Sequence, residues 1–234
     1  MHDFGAALAA ALTLVVELDR DLVEIVGLSL RISLLAVLIA AAVGLPLGAA
    51  VAAFRFPAKG LVVAGLNALM GLPPVVVGLV VYLLLSRAGP LGQYGLLFTP
   101  TAMVIAQAVL IVPIIAALAR QTTADLLAEY AEQLRSLGVG PARSIPTLLW
   151  DGRFSLMTAV LAGFGRASAE VGAVIIVGGN INHYTRVMTT TIALETSKGN
   201  LSLAIGLGVV LMTLVLGING TAQALHFATA RRHA

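Results

Sequence analysis

Apolar residues fall into five long runs with almost no charge, and the segments between and flanking them hold nearly all the Lys, Arg, Asp and Glu. The runs lie near 30–54, 61–85, 101–119, 155–178 and 201–222. Each is close to or above the roughly 20 residues needed to cross about 30 Å of hydrocarbon. A spanning backbone must satisfy its own polar groups, and the period-2 alternation of a membrane barrel is absent, so the pattern predicts five transmembrane helices. The expected fold class is an all-α membrane bundle built as a single domain, 1–234, with a polar loop at 120–153. Residues 4–18 are apolar as well, but no basic region leads them, and Glu17, Asp19, Arg20, Asp21 and Glu24 follow instead of a small-residue cleavage site. They read as a retained segment lying along the membrane interface.

Composition agrees with that placement. The chain is 59% hydrophobic and 11% charged, with a mean hydropathy of +1.00, which is a membrane composition. A net charge of +3 is too slight and too scattered to mark a nucleic-acid binder, and the lack of cysteine excludes disulfides, thiolate metal sites and cysteine nucleophiles. The distribution of cations sets an orientation. Arg55 and Lys59 follow the first run, Arg120, Arg135, Arg143 and Arg153 the third, and Arg231 and Arg232 the fifth. Those loops are expected in the cytoplasm and the N-terminus outside.

Small residues and prolines recur inside the runs, as Gly44-Leu-Pro46-Leu-Gly48, Gly71-Leu-Pro73-Pro74 and Pro113. They read either as sites of tight helix packing or as kinks that let helices rock. Arg166 and Glu170 are charges within the fourth run, four residues apart and so on one helical face. Each costs roughly 2.5–3.5 kcal/mol at mid-bilayer, so both are expected to face protein or water. A structural ion pair and an anion path lined by Arg166 both remain open. Arg31, near the outer end of its run, is expected to snorkel.

Motifs of catalysis are missing. Neither Lys59 nor Lys198 follows a Gly-rich phosphate loop. His2, His183, His226 and His233 have no metal-ligand spacing, and no nucleophile elbow surrounds a serine. The chain is expected to be no enzyme, to hold no metal, and to draw its energy from another subunit or an ion gradient.

The loop from Arg120 to Arg153 reads as a helix, Ala124 to Leu137, stopped by Gly138, then a Gly140-Pro141 turn and a second short amphipathic piece carrying Ile145 and Leu148. Leu127, Tyr130, Leu134 and Leu137 form one apolar side, while Asp125, Glu129, Glu132 and Arg135 remain wet. That side either fills a groove on a partner or packs on the chain's own helices.

The stretch Glu132-Gln-Leu-Arg-Ser-Leu-Gly138 resembles the first half of the EAA loop of ATP-binding-cassette (ABC) importer permeases, in which a Glu is followed six residues later by a Gly. Gln133 and Leu134 stand where that family usually has two alanines, and Asp151 where the second half commonly ends in proline. Glu170-Val-Gly-Ala173, Gly179-Asn-Ile181, Thr185-Arg-Val-Met-Thr-Thr190 and Ile192-Ala-Leu-Glu-Thr-Ser-Lys-Gly199 resemble the distal half of oxyanion importer permeases, most of all the tungstate type, with the molybdate type more distant. The resemblance covers about residues 22–225.

This resemblance implies a type I permease of the MetI-like fold in a prokaryotic cytoplasmic (inner) membrane. It implies a homodimer on two ABC ATPase subunits, which carry the ATP and magnesium, supplied with oxyanion by an extracytoplasmic binding protein. Glu132, Leu134, Leu137, Gly138, Ile145 and Leu148 are then the coupling loop. The segment from Asn180 to Asn200, with Thr185, Arg186, Thr189, Thr190 and Thr191, is then either the docking or gate-side element outside or a solvated interfacial helix. Transport proceeds by alternating access driven from the ATPase. A secondary transporter is the rival reading, though Glu170 is its sole clear intramembrane acid and five runs do not divide into inverted halves.

Overall fold

The computed structural model describes residues 20–230, and every regular element among them is helical. In chain order these are α1 (Arg20–Ala53), α2 (Lys59–Leu69), α3 (Pro74–Leu85), a 3-10 turn (Gly92–Tyr94), α4 (Pro100–Glu129), α5 (Ala131–Ser136), α6 (Pro141–Asp151), α7 (Arg153–Ser168), α8 (Gly172–Gly178), α9 (Met188–Ser197) and α10 (Leu201–Ala230). The apolar segment 4–18 and the cations Arg231 and Arg232 lie outside the described residues.

Three helices, α1, α4 and α10, are long and apolar enough to cross a membrane, and the count reaches five if α2 with α3 and α7 with α8 are each one bent span. The five runs are therefore present, but with other bounds. α1 starts ten residues before the apolar run, because its charged opening Arg20-Asp-Leu-Val-Glu24 is helical too and Asp21 sits in the first turn, where the helix dipole favours an acid. At 1.5 Å per residue its 34 residues extend about 51 Å, so these charged turns need not enter the hydrocarbon. α4 runs past Arg120 to Glu129 for 30 residues instead of ending at 119.

Two runs break within the membrane sequence. The second stops at Leu69 and resumes at Pro74, because a residue before proline is pushed out of the helical region and Pro74 itself suits a first helical position. The fourth breaks between Ser168 and Gly172. Pro46 and Pro113, by contrast, stand inside unbroken helices.

By its contacts the chain divides into two compact units. The first takes the described residues up to Leu35, Pro74–Gln107 and those from Ser168 on. Here α3 and α8 meet at backbone distance, since a Cβ on Gly78 would lie 2.7 Å from the Ala173 Cα. α9 and α10 close over a core of Leu22, Met188 and Leu207, with Ile25, Ile192 and Leu211 packed against it. The second unit takes Ala36–Pro73 and Ala108–Ala167. Its centre is the middle of α4: Gly44 and Gly48 of α1 lie on Ile115 and Ala116, and Gly163 of α7 lies on Ile111. Gly44-x-x-x-Gly48 is thus a close-packing seam of the kind membrane helices use.

Burial separates the spans by role. The most apolar window of α4 is 78% buried, that of α10 only 17%. α10 presents Met212 and Leu216 outward, as a helix does when lipid or another subunit is its environment.

Candidate coupling site and polar loop

The stretch from Ala124 to Leu137 is folded differently from the single helix its sequence predicts. α4 ends at Glu129, Tyr130 takes a non-helical turn (φ −92, ψ 10), and the six-residue α5 follows. Tyr130 still accepts the Leu134 N–H at 2.9 Å, so the interruption loses little hydrogen bonding. Gly138 then stops α5 with φ +63, a conformation that costs an L residue about 1 kcal/mol or more. The Gly138 N–H bonds the Arg135 carbonyl at 3.1 Å and the Val139 N–H bonds that of Leu134 at 3.0 Å, satisfying the end of the helix. α6 begins directly at Pro141, as the Gly140-Pro141 turn foretells.

The sequence-derived coupling residues do not share one environment. Glu132, Leu137 and Gly138 are exposed, Leu134 and Ile145 half-buried, and Leu148 is buried. Leu137, at 74% exposure, is an apolar side chain displayed to its surroundings, whereas Leu148, at 1%, is core and offers no surface to a partner. Sequence reading missed Trp150, which is 69% exposed at the end of α6 with the Arg153 guanidinium 5.0 Å from its ring centre. The chain's single tryptophan, falling within the polar segment, was the available signal. Leu137 and Trp150 are the large apolar groups that the α5–α6 segment leaves uncovered.

The second cluster lies in the 170–200 segment. α7 ends at Ser168, so Arg166 and Glu170 are not four residues along one continuous helix, and the shared-face expectation is corrected. Arg166 is half-buried in the last turn of α7. Glu170 is 3% exposed in the break itself. Its Oε1 accepts the Ala173 N–H at 2.9 Å, covering a free donor at the start of α8, and its carbonyl accepts the Thr189 hydroxyl at 2.8 Å.

The threonines do internal work. Thr185 Oγ1 donates to the Gly178 carbonyl at 2.6 Å and accepts the Ile181 N–H at 2.9 Å. Thr190 Oγ1 donates to Asn180 Oδ1 at 2.9 Å and accepts the Val187 N–H at 3.2 Å. Both threonines are fully buried, so neither lies on a docking surface; Thr189 and Arg186 are half-buried. Arg186 donates to Asn182 Oδ1 at 2.8 Å. The Met188 N–H bonds Ser29 Oγ at 2.7 Å, tying the start of α9 to α1. His183, with φ +56, sits with Nδ1 2.9 Å from Glu24 Oε2, and Asp21 completes an exposed group of three. These partners are 159 positions apart, which is why spacing gave no hint of them.

Near the end of α9, Glu195 is buried, with Lys198 Nζ and Asn200 Nδ2 each 2.9 Å from its carboxylate. The Lys198 hydrogen bond holds its carboxyl below the ordinary range, against the opposite pull of burial.

What the helices, the exposed loop and the polar segment resemble is decided by relatives that align along the whole chain. No family model matches the sequence. A tungstate uptake system permease protein TupB of Peptoclostridium acidaminophilum is 42% identical over 225 residues, 96% of this chain and 99% of the relative. The chain belongs to the ABC transporter permease family. A probable anion ABC transporter permease protein of Haloferax volcanii is also 42% identical, over 85% of this chain and 88% of its own length. The TupB of Campylobacter jejuni is 37% identical over 71% of this chain and 70% of its own length. The permease is therefore a multi-pass membrane subunit of an ABC transporter, with the all-helical architecture its sequence foretells.

Proposed function

We propose that this permease forms the membrane passage of an ATP-driven importer of tungstate. The observation that carries the reading is end-to-end similarity, at 42% identity, to a protein named as a tungstate uptake permease. Similarity to a molybdenum transport permease of Azotobacter vinelandii is weaker, at 27% identity, which ranks molybdate second.

In this reading two copies of the permease sit on two cytoplasmic ATPase subunits, which bind the ATP and magnesium, and receive the anion from an extracytoplasmic binding protein. The membrane is the cytoplasmic one, with α5 and α6 inside. Leu137 and Trp150, exposed on that segment, are the apolar groups that enter the ATPase. Gly138 sets the angle between α5 and the chain entering α6 through its positive φ, so movement of α5 passes to α6 and on to α7. The buried threonines of the 178–190 segment keep the outer loop in one shape while the helices move. Energy comes entirely from the ATPase, because differential contact with its open and closed states is what shifts the permease between its conformations.

The test is uptake into vesicles containing the permease, its ATPase and its binding protein. Tungstate accumulation that needs ATP, with molybdate competing weakly, is the expected result. Accumulation of sulfate or phosphate in place of tungstate overturns the substrate, and accumulation by the permease alone overturns the mechanism.

A further inference from the structure

A cavity of 540 Å³ opens within the second unit, between the end of α1, the end of α4 and the α5–α6 segment. Three of its lining residues are cations, Arg55, Lys59 and Arg135, and none is an acid. The remaining wall is largely apolar, including Ala52, Leu127 and Val139. Lys59 is held at the rim by its own chain, its Nζ donating to the carbonyls of Ala52 at 2.6 Å and Phe54 at 3.1 Å, where it caps the free end of α1. That fixes its positive charge in place and leaves one N–H for another acceptor.

We propose that this cavity holds the headgroup of an anionic phospholipid, its phosphodiester facing Arg55, Lys59 and Arg135 and its glycerol and upper acyl carbons lying on the apolar wall. Two features select this occupant. Three cations line the cavity and no carboxylate does, which makes a positive wall that attracts anionic headgroups at about 1 kcal/mol per Lys or Arg. A free tetrahedral oxyanion takes donors on all sides and leaves an apolar wall unused, whereas a phospholipid has both a charge and a hydrocarbon part. The site also lies where two membrane-length helices end, at Ala53 and Glu129. Because the cavity touches α5 at Leu134 and Arg135, a lipid there ties the loop to the membrane surface. The inference needs the chain to be a membrane permease and is independent of which anion is carried.

The experiment is native mass spectrometry of the purified permease with its ATPase, after titration with phosphatidylglycerol or phosphatidylcholine. Phosphatidylglycerol is expected to remain bound and phosphatidylcholine to dissociate. The paired variant Arg55→Gln, Arg135→Gln is expected to lose phosphatidylglycerol at least about tenfold, while Arg143→Gln, which does not line the cavity, retains it. As a check that does not depend on the folding of a variant, photoactivatable phosphatidylglycerol is expected to label the wild-type permease within residues 127–144. Equal retention of the two lipids, retention by the paired variant, labelling only outside 127–144, or displacement of the lipid by millimolar phosphate or tungstate each overturns the proposal.

Discussion

The hydroxyl of Thr185 donates to the carbonyl of Gly178 at 2.6 Å, joining the last residue of α8 to a buried residue seven positions on. That carbonyl is one of the four a helix end leaves without an internal partner, and Gly178 and Thr185 are both buried.

Replacing this hydroxyl therefore isolates a buried acceptor. Thr185→Val is expected to destabilise the permease by about 1–3 kcal/mol while Thr185→Ser stays near wild type. Thermal melting of the detergent-purified chain reads the difference, and equal melting of the two variants refutes the role of the bond.

Close approach at Gly48 gives a second expectation. A Cβ there would collide with the Ala116 carbonyl and come within 2.8 Å of the Ala119 Cβ, whereas one on Gly65 meets nothing within 4 Å. Gly48→Ala must push α1 from α4, at a cost of about 1–3 kcal/mol, and Gly65→Ala must not. Yield and melting temperature from membranes compare them, and a Gly48→Ala protein as stable as Gly65→Ala would falsify the seam.

Exposure divides the residues of the coupling loop. Leu137→Asp is expected to change stability by less than about 0.5 kcal/mol, since the side chain is 74% exposed, yet to lower ATP-driven uptake sharply. Leu148→Ala, in the core, is expected to cost about 2–5 kcal/mol of stability instead. Uptake and melting measured on the same preparations separate docking from packing; wild-type uptake by the Leu137 variant removes it from the coupling surface.

Acid should find Glu195. Its folded pKa is depressed by Lys198, so the contribution of this pair is complete above the ordinary value of 4.5 and disappears as pH falls from there through the lower folded value. Melting temperature followed from pH 7 to pH 3 is expected to show a steeper acid-side decline for wild type than for Glu195→Gln. Parallel curves would mean that the interaction contributes nothing.

Much of this architecture was legible because each span satisfies a local rule. About twenty apolar residues without charge must be helical in hydrocarbon, and Gly71-Leu-Pro73-Pro74 announces the break between α2 and α3 in its own chemistry. The break at 169–171 carries no such signal. Ala169-Glu170-Val171 holds neither proline nor glycine, and what stabilises the interruption is a hydroxyl nineteen residues away, on Thr189, together with the Glu170 carboxylate turned onto the next helix. The same reason explains why Thr185 and Thr190 look like surface hydroxyls in the sequence yet are buried: their partners, Gly178 and Asn180, are reached only after the loop has closed.

By itself the sequence determined that the chain spans a membrane in helices, where the charged loop between α4 and α7 lies, that Gly138 must end α5, and that the distal half resembles that of oxyanion permeases. Those features follow from composition, hydropathy and the backbone preferences of single residues. Only tertiary structure decided that Leu137 is displayed while Leu148 is core, that Glu170 sits in a break just past the helix that carries Arg166, and that Arg55, Lys59 and Arg135 surround one cavity. Burial and convergence depend on which distant segments come into contact, and hydrophobic periodicity is nearly blind to this in helices that are apolar on every side.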